Sequence, residues 1–204
     1  MLAVAGLLAA GDWVAVARRE KTVEYVCKPA TMLALIAVAL ALHSAHADRR
    51  VWFVAALALS MLGDVFLMLE ADLFVAGLGS FLLAHVAYTV GLRLHGGTGA
   101  AWGAAVVAVL AFDAVLARPV FAAVRRRHPE LLGPVVAYVI VISAMVSAAI
   151  ASGSVLAAVG AGLFFSSDTL IAWERFVRPR PWAPLAIIVT YHLGQAGLAL
   201  SLAR

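Results

Sequence analysis

Two aspartates, Asp64 in "SMLGDVFLML" and Asp168 in "LFFSSDTLIAW", stand inside otherwise apolar runs of this 204-residue chain. An ionised carboxylate facing lipid costs at least about 2.5–3.5 kcal/mol, so each must face a protein interior or a wet cavity. One such acid is accounted for by a hydrogen bond to a neighbouring helix. Two at one depth ask for more, because a buried pair can hold one proton and one negative charge, as acid–base chemistry and proton relays require. With spans ending near residues 69 and 174, both acids lie about 8–9 Å below the same interface at 1.5 Å rise per residue.

Other polar side chains fall in the same kind of surroundings. In "GLGSFLLAHVAYTVGL", Phe81, His85 and Tyr88 recur at i, i+4 and i+7 and so share one helical face. Tyr191 and Gln195 share a face in the last span, with His192 beside them, and Tyr138 adds a phenol to an earlier one. Each of these also serves as an ordinary helix–helix hydrogen-bonding or packing residue. Lys28 precedes Pro29 on the side of both acids, as a flanking lysine or a phosphate ligand. Asp12 and Asp113 lie near span ends with an Arg six or five residues on, so snorkelling or pairing is expected there. Glu70 and Asp72 read as a solvated acidic turn. His85 and His192 have neither Cys partners nor an H-x-x-x-H spacing, so no metal or other cofactor is expected. There is no Walker loop, and Met61 stands where the first glycine of an aspartyl-protease G-x-G-D would be.

The elements that must position these residues are transmembrane helices. Hydrophobic residues make up 65% of the chain and the mean hydropathy is +1.02, beyond what a soluble domain of this size uses. Hydropathy predicts an all-α bundle of about eight spans, at 2–17, 29–45, 51–69, 73–94, 100–117, 132–151, 154–174 and 183–202. The links are short, so 1–204 reads as one integral membrane domain. The single Cys27 allows no intramolecular disulfide.

A net charge of +4 and a pI near 9.7 would suit nucleic acid, but sorting the charges by loop removes that reading. One side carries Arg18, Arg19, Lys21, Lys28, Arg118, Arg125, Arg126, Arg127, Arg175, Arg178 and Arg180; the other carries only Arg49, Arg50, Arg93 and Arg204. Eleven against four predicts that the first side is cytoplasmic and that both termini are not. The same charges would attract anionic lipid heads. Thirteen arginines against two lysines, with abundant alanine, point to a GC-rich bacterial genome and hence a bacterial cytoplasmic membrane. An internal echo at an offset of 101 to 105 residues pairs Asp12 with Asp113, Pro29 with Pro134, Asp64 with Asp168, Tyr88 with Tyr191 and Gly91 with Gly194. It predicts two parallel four-helix halves, with Asp64 and Asp168 as symmetry mates.

Lys28-Pro29, "GDVFLM" from Gly63, "GLGSFLLAHVAY" from Gly77, Tyr138, "GAGLFFSSDTLIA" from Gly160, and Tyr191 with Gln195 together resemble the lysoplasmalogenase (YhhN) family of multi-spanning membrane proteins. The resemblance covers nearly the whole chain, except the first span and residues 118–132. It implies hydrolysis of the alkenyl ether of a lysoplasmalogen-type lysophospholipid to a fatty aldehyde and a glycerophospho-head group. Such a bond breaks by protonation at carbon, leaving an oxocarbenium ion that water captures. Asp64 and Asp168 would divide the roles of acid and base or stabiliser, as carboxylate pairs do in glycoside hydrolysis. Lys28 would meet the head group, and His85, Tyr88, Tyr138, Tyr191 and Gln195 would line the substrate site. Besides the lipid substrate and the bilayer no partner is implied, and neither residue types nor spacing say which Asp is the acid. A small proton-coupled transporter or lipid-translocating protein is the competing reading, and a structural membrane protein using both acids as hydrogen bonds is a third.

Overall fold

The structure is a computed structural model that describes residues 1–44, 46–69 and 73–203. The acidic turn expected at Glu70 and Asp72, and the C-terminal Arg204, lie outside the described residues. Among the described residues every regular element is helical. They are α1 (Leu2–Arg18), α2 (Lys21–Ala41), α3 (Ala47–Met68), α4 (Phe74–Leu94), α5 (Gly99–Leu116), α6 (Arg118–Arg127), α7 (Leu132–Ala151), α8 (Val155–Phe176) and α9 (Ala183–Leu200), with single 3-10 turns at Pro129–Leu131 and Ser201–Ala203. Among the described residues seven helices are long and apolar enough to cross a membrane; α1, with 17 residues, is the short one and α6, with 10, is not a span. This is an all-helical integral membrane protein.

Two segments depart most from the hydropathy reading. The second span was expected over 29–45, yet α2 begins at Lys21 and ends at Ala41, so Pro29 lies inside the helix. The polar first turns hide from a hydropathy window but form helix because Lys21, Glu24 and Lys28 fall at i, i+3 and i+7 and neutralise one another. Residues 118–127, which match no motif, form the short amphipathic α6. It buries Val120, Ala123 and Val124 and leaves Arg125, Arg126 and Arg127 exposed.

In the first half α1 packs on α2, α2 on α3 and α3 on α4; in the second, α5 packs on α7, α7 on α8 and α8 on α9. The neighbour order of the first four helices thus recurs in the last four spans, with α6 inserted. The α8–α9 pair is closest where small residues remove side-chain bulk. A Cβ on Gly194 would lie 2.8 Å from the Phe164 backbone N and 2.9 Å from the Gly160 carbonyl O. Lipid gives helices no hydrophobic reason to associate, so close backbone approach and interhelical hydrogen bonds hold such bundles. The core is filled by Phe53, Leu57, Tyr88, Met145, Phe164 and Leu198, all fully buried.

Candidate active site

Asp64 lies on α3 and Asp168 on α8, and each is met by a side chain from the other half of the chain. Tyr191 of α9 donates its hydroxyl to Asp64 Oδ2 at 2.6 Å across 127 residues of sequence. On α8, Asp168 Oδ2 accepts from the Tyr138 hydroxyl at 2.6 Å and lies 3.4 Å from His85 Nε2 of α4. Third helix thus meets opposing fourth helix on both sides, as two facing halves would arrange. The two sites are nevertheless not copies. Tyr88, the counterpart of Tyr191, turns away from Asp168 and donates to Gln195 Oε1 at 2.6 Å. Nor are the acids equally deep: counted from the helix ends, Asp64 is four residues in from Met68 and Asp168 eight in from Phe176. The expected equality fails because α8 runs two residues past the predicted span end.

His85 is fully buried, and its Nδ1 sits against the carbonyl oxygen of Phe81 one turn earlier. A carbonyl only accepts, so Nδ1 carries a hydrogen and, in a neutral ring, Nε2 presents a lone pair. That lone pair faces Asp168. At 3.4 Å the two make no hydrogen bond, so the buried Nε2 is left without a partner beside the Asp168 carboxyl. Around Asp64 the surroundings are of opposite character. Lys28 lies within electrostatic reach of Asp64, Glu24 and Asp12. Its ammonium pairs with Glu24 at 2.9 Å, while Lys21 pairs with the same carboxylate at 2.8 Å.

Asp64, Asp168, Lys28 and Tyr191 line an open vestibule of about 1370 Å³, walled also by Arg19, Glu24, Glu174, Arg175, Arg180 and Trp182. It opens between the α1–α2, α3–α4 and α8–α9 connections, on the arginine-rich side. Against it lies a second cavity, an apolar slot among α4, α5, α7 and α8 whose polar lining comes from Asp113, Tyr138, Asp168 and Thr169. Leu67, Phe74, Phe81, Asp168 and Ile171 belong to both walls. Asp168 therefore stands where a charged chamber meets a hydrocarbon one.

Of the residues singled out in the sequence, Asp64, Asp168, Lys28 and Tyr191 meet in the vestibule, Tyr138 faces the slot, and His85 backs Asp168. Tyr88 and Gln195 are fully buried and line neither cavity; they form a pair behind Tyr191. Glu24 was not anticipated, although its spacing from Lys21 and Lys28 is the i, i+3 and i, i+4 pattern of helix ion pairs. The expectation that Asp12 and Asp113 snorkel or pair with arginine is overturned. Asp12 is fully buried among α1, α2 and α9, 3.9 Å from His192 Nε2, and the Trp13 indole donates to His192 Nδ1 at 3.2 Å. Asp113 is bonded by the Ser143 hydroxyl. An Arg five or six residues along a helix points to the far side, which is why neither pairing forms.

His46, Asp48 and His95 gather at the opposite end of the bundle with donor atoms within 4.8 Å of one another. The two imidazoles stack face to face at 3.7 Å and 7°, and His95 is bonded to Asp48. A shared ion needs the plane of both rings, so these rings would have to tilt apart to hold one.

The YhhN family profile matches residues 23–202, which include every residue of the vestibule and slot named above except Arg19 and Lys21. The chain belongs to the YhhN family. Among curated relatives it is 33% identical to human lysoplasmalogenase TMEM86B over 149 residues, covering 73% of this chain and 62% of the relative. It is 37% identical to a lysoplasmalogenase of Mycobacterium bovis, covering 72% of this chain and 58% of the relative. The pig TMEM86B is 31% identical, with 73% and 62% covered. The matched region therefore spans about three-fifths of the length of these relatives. No solved structure matches the chain.

Proposed function

We propose that this protein is a membrane ether hydrolase that cleaves the alkenyl ether of lysoplasmalogen-type lysophospholipids, releasing a fatty aldehyde and a glycerophospho-head group. Family membership and the named activity of the relatives support the reaction class. The observation that carries the mechanism is the unlike surroundings of the two acids. Asp168, facing the unpartnered Nε2 of His85 and standing on the wall of the hydrocarbon slot, is the acid. Asp64, close to Lys28 and bonded by Tyr191, is the carboxylate.

In this mechanism Asp168 delivers its proton to the alkenyl carbon not bound to oxygen. The ether carbon becomes an oxocarbenium centre, which the negative charge of Asp64 stabilises. Asp64 then takes a proton from the water that attacks this carbon, forming a hemiacetal. The hemiacetal collapses with its hydroxyl proton lost and the glycerol oxygen reprotonated, so one water is consumed and aldehyde and alcohol leave. Tyr138 and Tyr191 hold the two carboxyls at fixed orientation. Lys28, held by Glu24, places a cation within electrostatic reach of Asp64 and offers it to the head-group phosphate.

The same reading makes residues 1–204 one membrane domain, set in a bacterial cytoplasmic membrane with the vestibule toward the cytoplasm and both termini away from it. Thiol-accessibility mapping from each side checks this orientation, and labelling of either terminus from the cytoplasm overturns it. For the chemistry, purified protein in nanodiscs is given lysoplasmalogen and a saturated 1-O-alkyl lysolipid. Aldehyde is expected from the first alone and is expected to vanish in Asp168→Asn. Aldehyde release that survives this change in a folded variant sinks the acid assignment, and none from the wild type sinks the reaction.

A further inference from the structure

The apolar slot is walled by four helices but not closed by them. Both α4 and α5 pack on α7, whereas their direct packing on each other is sparse, with the Arg93 guanidinium of α4 5.0 Å over the Trp102 ring of α5 near the end away from the slot. α5 is the helix with least invested in the bundle: its buried side chain is Asp113 alone, fastened to Ser143 of α7. The Trp102 indole adds one further tie, to the Ala144 carbonyl at 3.4 Å. The cytoplasmic end of the slot is roofed by α6, whose Val120 forms part of the lining, and by Phe176 of α8. Water on that side is thereby shut out, whereas the flank between α4 and α5 faces hydrocarbon.

We propose that this slot, of about 90 Å³, is the binding site for a segment of the hydrocarbon chain of a single-chain amphiphile, and that the gap between α4 and α5 is its lateral entrance from the inner leaflet. The inference rests on the lysolipid reading above for its ligand class, and it adds the location, the entrance and the residues. Three observations converge on one occupant. The lining is hydrocarbon, from Leu78, Phe81, Leu116, Val139, Ile142 and Phe165. Asp168 lines both the slot and the vestibule, whose wall carries Lys28, Arg175 and Arg180 together with Glu24 and Glu174. A ligand that fills both chambers has an apolar tail continuous with a charged, polar head. Finally, a chain entering between α4 and α5 never leaves the bilayer, so it gives up no hydrophobic burial on the way in. Asp113 then has a role: buried in an otherwise apolar lining, it pins α5 to α7 and so sets the width of the gap.

The test separates binding from cleavage. Full-length protein in nanodiscs is photolabelled with a saturated 1-O-alkyl lysophosphoethanolamine carrying a diazirine at the chain end, which no alkenyl hydrolase cleaves. Labelling is expected on α5 and α7 peptides containing Leu116 or Ile142, and to be competed by unlabelled lysolipid. Leu78→Trp and Leu116→Trp, each of which fills the slot, are expected to reduce labelling at least tenfold. Should one Trp variant fold poorly, the other and the competition experiment still decide. Label confined to outward faces, or not competed, overturns the slot even if aldehyde is released. Competed label in the slot without aldehyde release sustains it while the hydrolase reading falls.

Discussion

Replacing Tyr191 by phenylalanine removes one hydroxyl from the vestibule wall and leaves the ring in its packing. That ring touches Phe81 and Phe164 edge-on at centroid distances of 5.9 and 5.4 Å, so the aromatic cluster keeps its shape. The hydroxyl itself donates to Asp64 at 2.6 Å, and both residues are buried, at 3% and 7% exposure. A hydrogen bond to a charged partner contributes about 1.5–3 kcal/mol. If the charge on Asp64 matters most when the oxocarbenium ion forms, nearly all of that loss falls on kcat. At 1.36 kcal/mol per tenfold, the expected loss is about 10- to 150-fold, with KM changed little. Tyr88→Phe is the control. It deletes a hydroxyl of equal bond length, 2.6 Å, but given to the neutral Gln195, so it should lower thermal stability and slow turnover much less. Aldehyde release, measured alongside melting temperature for both variants, distinguishes the cases. Equal losses of kcat in the two variants, or less than about threefold in Tyr191→Phe, would refute the claim that Asp64 works as an oriented anion.

Asp64→Asn and Asp168→Asn should each fold and each lose most turnover, and the double variant should be scarcely slower than the worse single, because groups acting as a unit are strongly non-additive; multiplicative losses in kcat would separate them. The wild-type rate should be bell-shaped in pH, falling in acid as Asp64 takes a proton and in base as the Asp168–His85 couple loses one, and the basic limb should be altered in His85→Gln. Lys28→Ala should raise KM more than it lowers kcat if it meets the head group, and Glu24→Gln should leave part of that effect by freeing Lys28; an unchanged KM in Lys28→Ala returns the lysine to its ion pair alone. Gly194→Ala places a methyl 2.8–2.9 Å from α8 backbone that cannot yield, so it should destabilise by about 1–3 kcal/mol and lower the melting temperature by several degrees; an unaltered melting curve would show that the α8–α9 contact has slack.

Much of this architecture was legible in the linear chain, because the bilayer imposes a length and a composition on every span. Among the described residues seven of the eight apolar runs became helices long enough to cross a membrane and the first became the shorter α1, and two acids inside such helices had to face inward whatever the fold. Helical spacing also placed His85 and Tyr88 on one face, since that periodicity is local. What lay beyond reach was every relation between helices. Nothing near residue 64 announces a tyrosine 127 positions away, and nothing near residue 168 announces that the lone pair of His85 will meet it. The sequence echo suggested equivalent acids, whereas packing set one beside a lysine and the other beside an imidazole and a hydrocarbon slot. Asp12 and Asp113 looked like helix-end residues because distance along a helix is easily counted, while the face that becomes buried depends on which neighbour arrives. Charge, length and periodicity are properties of one segment and can be read from it. The difference between a proton donor and an anion belongs to the space between segments, and only the folded bundle creates that space.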